Sequence, residues 1–165
     1  MMAILIGIIT LSLEACNSNN HNGQEEKVSQ NVTDTSITTA PEQTVDTALM
    51  YLKAFKGQYP TEANFLDLPE LRQRLSDLLG SRYADFRRYW QTETPIEVED
   101  NVLSTTGCEQ HNCAANQYIL QIDLKHNNIN VYHLGQDIQS YLEKGKITLP
   151  PNMERDMQTI LQNNP

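Results

Sequence analysis

The hydrophobic period of this chain changes from helical to strand-like at Pro95, and that change leaves few architectures open. Before Pro95 the apolar residues recur at helical spacing. Val45, Ala48, Leu49, Leu52 and Phe55 form one such set, with Gly57 as a stop. Leu68, Leu71, Leu75, Leu78 and Leu79 form a second, opened by Asp67 as N-cap and closed by Gly80. Tyr83, Phe86, Tyr89 and Trp90 form a third. After Pro95 the period is two. Ile96 and Val98 alternate with Glu97 and Glu99, Asp100-Asn101 makes a turn, and Val102 to Thr106 returns. Tyr118 to Leu124 is the strongest strand; residues 125–128 turn it and Ile129 to Leu134 comes back. Lys146 to Leu149 reads as a shorter strand, and a last helix starts at Pro150-Pro151 with Met153, Met157, Ile160 and Leu161 along one side. Helices followed by hairpins predict an α+β fold. It is an antiparallel meander with the N-terminal helices packed on one face, completed by a C-terminal helix.

The N-terminal third reads differently. Ala3 to Leu13 is apolar and uncharged but shorter than the roughly 20 residues a membrane span requires. It fits the core of a secretory signal. It ends in Leu13-Glu14-Ala15-Cys16, which resembles a bacterial lipobox, although Glu14 is unusual there. The resemblance implies cleavage before Cys16 and acylation of that cysteine by palmitate-type chains. Each buried methylene contributes about 0.8 kcal/mol, so two or three chains anchor stably. By the sorting rule of enteric lipoproteins, Asn17 rather than Asp implies the outer membrane, facing the periplasm. Residues 17–43 are polar, with Val28, Val32 and Ile37 their only bulky apolar groups. Such a segment buries too little to offset its ordering entropy and is expected to act as a tether of roughly 25–30 Å. The expected organisation is therefore a signal peptide over 1–15, a lipidated tether over 16–43 and one domain over 44–165. The net charge of −9 argues against nucleic acid as a partner and suits a basic one.

The sharpest local feature is Cys108-Glu109-Gln110-His111-Asn112-Cys113, set between two strands. The chain has three cysteines. With Cys16 taking lipid, Cys108 and Cys113 remain as a pair, and an oxidising envelope favours a disulfide between them. Closing so short a loop contributes only about 2 kcal/mol by chain entropy, so its main effect is to fix loop shape. Other chemistries compete for the same residues. Cys108, His111 and Cys113 are metal-ligand types, but a structural zinc site takes four ligands and no fourth lies nearby. A free thiolate beside His111 would make a nucleophile, which an oxidised pair excludes. The haem-attachment pattern C-x-x-C-H and a phosphate-binding glycine loop are both absent from the sequence. The expectation is no enzyme, no metal and no cofactor. A plain stapled hairpin, with His111 facing water, remains open on these grounds.

A strand, a C-x-x-H-x-C loop and a long strand, in that order, resemble the Ivy family of inhibitors of vertebrate (c-type) lysozyme. The similarity runs over roughly Leu71 to Leu134. The family pattern is Cys-Lys-Pro-His-Asp-Cys; this chain keeps Cys108, His111 and Cys113 and carries Glu109, Gln110 and Asn112 between them. The resemblance implies a central antiparallel sheet with a disulfide-closed loop projecting from it. It also implies a protein partner, a c-type lysozyme or another muramidase, bound through residues 108–113. The competing reading is an interaction lipoprotein of the same fold without inhibitory activity. A histidine in such a loop stands apart from His133, which lies in a strand and fits a core role.

Overall fold

The computed structural model describes residues 48–163. The expected signal peptide, Cys16 and the expected tether lie outside the described residues.

The described residues form a six-stranded antiparallel sheet flanked by helices. Helix α1 spans Pro69–Leu79 and α2 spans Tyr83–Tyr89. The strands are β1 (Thr92–Glu93), β2 (Glu97–Glu99), β3 (Val102–Cys108), β4 (Gln117–Asp123), β5 (Asn128–Leu134) and β6 (Ile138–Leu142). Helix α3, Pro151–Gln162, closes the chain. The order across the sheet is β1-β3-β4-β5-β6, with β2 also pairing with β3. Pro95 interrupts that edge, so β1 pairs with the end of β3 and β2 with its beginning.

The period-two pattern sorts side chains to two faces. Leu103, Tyr118, Leu120, Ile122, Ile129 and Val131 share the first face and meet Leu71, Leu75, Leu79 and Phe86 of the helices. The second face carries Ile119, Tyr132 and Leu134, which pack against Met157, Ile160 and Leu161 of α3. The C-terminal helix therefore covers the side opposite to the N-terminal helices. Both faces being covered explains why β4 is buried from Tyr118 to Ile122, between its two end residues, and reads as a nearly continuous apolar run.

The turns follow the expected chemistry. Asp100 and Asn101 both have positive φ, 47° and 64°, as a tight two-residue hairpin turn demands. Gly80 ends α1 at φ 53°, its N–H reaching the Ser76 carbonyl.

Three expectations need correction. Residues 50–55 form a 3₁₀ helix instead of a longer α-helix, although Leu49 and Leu52 are fully buried as the spacing requires. The N-cap of α1 is Leu68, ahead of Pro69, and Asp67 instead pairs with Arg87 at 3.0 Å. The last strand is Ile138–Leu142, whereas residues 146–149 carry no strand. Ile147 is buried in that stretch, but by Val102 and Met153, not by strand pairing.

Candidate functional site

Strands β3 and β4 pair down to Cys108 opposite Gln117, and residues 109–116 project beyond that pair as a loop. A disulfide joins Cys108 to Cys113 across a Cα separation of 4.9 Å. Both sulfurs are thus bonded to each other, and the thiolate needed by a zinc site or a nucleophile is not available at this position. Among the described residues no group of three or more His, Cys, Asp and Glu side chains is placed to hold a metal ion.

The backbone of the loop is closed on itself. Glu109 N–H donates to the Asn116 carbonyl at 3.1 Å, and Asn112 N–H donates to the Glu109 carbonyl at 3.0 Å. Ala115 N–H and Asn116 N–H both return to the Asn112 carbonyl, at 3.1 and 3.2 Å. The Glu109 side chain faces inward. Its Oε2 accepts from the Asn112 and Asn116 amides, each at 2.7 Å. Outside the loop, Gln91 holds it from the α2–β1 junction: Gln110 N–H donates to Gln91 Oε1 at 3.1 Å, and Gln91 N–H donates to the Cys108 carbonyl at 3.0 Å.

His111 sits at the far end of this frame. It is exposed and its φ is 62°, in the left-handed region. A non-glycine residue there carries a conformational cost that the surrounding bonds must offset. Gln110 and Asn112 beside it are exposed too, so the tip offers an imidazole flanked by two side-chain amides. His133 is the contrast. It stacks on Tyr118 with ring centroids 4.4 Å apart, and burial, reinforced by the Arg82 charge, holds its imidazole below the usual range.

The base of the loop rests on Trp90. Its indole lies against Gly107, where a Cβ would stand 2.2 Å from Trp90 Cδ2. The indole N–H donates to Glu93 Oε2 at 2.8 Å, and Glu93 in turn accepts from the Thr61 N–H and hydroxyl at 2.9 and 3.0 Å. Phe86 packs between Trp90 and Tyr118, at 5.0 and 5.3 Å between ring centroids. The loop thus grows from a strand pair backed by a rigid aromatic cluster.

Of the six residues singled out in the sequence, Cys108 ends β3 at the base of the loop and residues 109–113 fall within it. Sequence reasoning missed Gln91, Asn116 and Trp90 as its supports. Gly107 beside Cys108 was a signal of close approach, but nothing in the sequence named Trp90 as the group approaching.

A family model described as "Inhibitor of vertebrate lysozyme (Ivy)" matches residues 70–163, from α1 through the loop to α3. Neither curated proteins nor solved structures provide a match. The matched family is one of inhibitors, not of catalysts, and its partner is a protein. The match covers more than half of the chain, and with the disulfide-closed loop in place the chain belongs to the Ivy family of inhibitors of vertebrate lysozyme.

Proposed function

We propose that the chain inhibits a c-type lysozyme or another muramidase by inserting the 108–113 loop into the enzyme's cleft, with His111 as the central contact. The observation that carries this reading is the exposed imidazole held in a left-handed backbone at the tip of a closed loop. Glycosidase clefts of this kind work with two carboxylates in different environments. An imidazole placed between them hydrogen-bonds to both, more strongly when protonated. A loop that is already ordered loses little entropy on insertion. The acidic chain, at −9, is steered towards a basic enzyme.

In this reading Cys16 is acylated and holds the protein in the cell envelope, with residues 17–43 as the tether. The outer membrane, periplasmic side, is the proposed location.

The test is inhibition of a panel of muramidases by the wild-type chain and by His111→Ala. The wild type is expected to inhibit at least one c-type enzyme. The variant is expected to be weaker by about tenfold or more, the effect of losing a central contact worth ~1.4 kcal/mol. Absence of inhibition by the wild type removes the assignment. Full inhibition by His111→Ala moves the contact surface elsewhere.

A further inference from the structure

We propose that Glu109 is a positioning residue whose carboxylate, gripped by the Asn112 and Asn116 amides, fixes how His111 is presented, in addition to and apart from the disulfide. The proposal rests on the reading of the loop as the inhibitory element and adds a second device that shapes it.

The geometry of the two closures differs. The disulfide ties Cys108 to Cys113 and makes a ring, but it reaches neither Asn116 nor the rotation of the tip within the ring. Glu109 reaches both. One carboxylate oxygen, Oε2, takes an amide N–H from Asn112, the residue directly after His111, and another from Asn116, the residue directly before β4. Both contacts are 2.7 Å, the short end for N–H···O and typical of an ionised acceptor. The backbone of the same residue repeats the pattern, with its carbonyl bound to Asn112 and its N–H to Asn116. Gln110 and His111 are therefore spanned by a residue locked on one side and a residue locked on the other. The left-handed φ of His111 is sustained by this span.

A second consequence concerns charge. Glu109 lies within the sequence expected to meet the enzyme, yet its Oε2 is turned towards the loop's own amides and the residue is only partly exposed. Its contribution is shape, not a salt bridge across the interface. Glutamine at this position preserves that shape, because a single amide oxygen can accept both contacts that Oε2 now accepts. Alanine and lysine cannot accept either.

The experiment compares Glu109→Gln, Glu109→Ala and Glu109→Lys in the full chain, each with and without Cys108→Ser plus Cys113→Ser. Two readouts are taken: inhibition of a c-type lysozyme, and the NMR side-chain amide resonances of Asn112 and Asn116. Glu109→Gln is expected to inhibit within about threefold of wild type, while the alanine and lysine variants lose about tenfold, because only a fraction of loops remain in the competent shape. Removing the disulfide should deepen the alanine loss more than additively, since either closure partly covers for the other. In wild type and Glu109→Gln the two amide resonances should be displaced from free-amide positions, and in Glu109→Ala they should return to them. Equal losses for glutamine and alanine would show that charge, not shape, is what Glu109 supplies, and would overturn the proposal. So would free-amide resonances in the wild type, or unchanged inhibition by Glu109→Ala. The resonances report on the clamp even where no lysozyme is inhibited, so failure of the inhibitor reading remains distinct from failure of this one.

Discussion

A Cβ on Gly107 would stand 2.2 Å from the Trp90 ring, closer than any side chain tolerates. That single contact links the loop base to the aromatic cluster behind it. Gly107→Ala is expected to displace the indole and cost about 1–3 kcal/mol, as overpacking does. Trp90 is the chain's one tryptophan, so its fluorescence followed through urea unfolding reads the effect directly. An unchanged midpoint would mean that Trp90 does not buttress the loop. At the same scale, two histidines show how much a position decides. His111 is exposed at a tip and His133 is stacked on a buried tyrosine whose phenol burial pushes up to about 12. His133 is held below its ordinary range, so the unfolded chain binds a proton before the folded one does. The sign follows: its neutral form favours the fold above about pH 6.5, the unperturbed histidine value, and that contribution is lost as pH falls through the window below it. Replacing His133 by Gln should flatten the fall in melting temperature between neutral and mildly acidic pH, as measured by circular dichroism.

At the scale of elements, the two faces of the sheet are unequal. The first face meets α1 and α2 through residues such as Leu71 and Leu75, both fully buried. The second face meets α3 through Met157, Ile160 and Leu161, all only partly buried. Leu75→Ala is therefore expected to cost about 3 kcal/mol, whereas Ile160→Ala costs only about 1 kcal/mol because part of its surface is wet already. Equal losses in chemical denaturation would contradict this asymmetry. The same inequality explains what the sequence could and could not convey. Leu71, Leu75 and Leu79 recur at helical spacing because one face of α1 is dry, and β4 is unmistakable because both of its faces are. Strand β6 is an edge strand with the reverse pattern: Ile138 and Leu142 are 53% and 41% exposed, while Tyr141 turns in to the core. Alternation of that kind carries no core signal, whereas the buried Ile147 gives residues 146–149 the look of a strand without strand pairing. The loop was legible as a pair of cysteines around a histidine. Its internal closure by Glu109 was not, because spacing does not say whether a carboxylate faces solvent or its own backbone neighbours.

At the scale of the whole molecule, an acidic α+β domain follows a proposed envelope anchor. The anchor rests on Leu13-Glu14-Ala15-Cys16. Cys16→Ser is expected to move the protein from the membrane fraction to the soluble fraction, and mass spectrometry of the mature wild type should find Cys16 acylated. A mature chain that still begins at Met1 would rule this processing out. The domain's task is separate from its address, and it stands or falls on whether the loop occupies the enzyme's cleft. Competition with a chitooligosaccharide tests this claim most directly, because a soluble saccharide fills the cleft and little else. Binding of the full chain to a c-type lysozyme is followed as the saccharide is raised. The account predicts strict competition, with apparent affinity falling in proportion to saccharide occupancy. A ternary complex in which lysozyme holds saccharide and inhibitor together, with undiminished affinity, would contradict it.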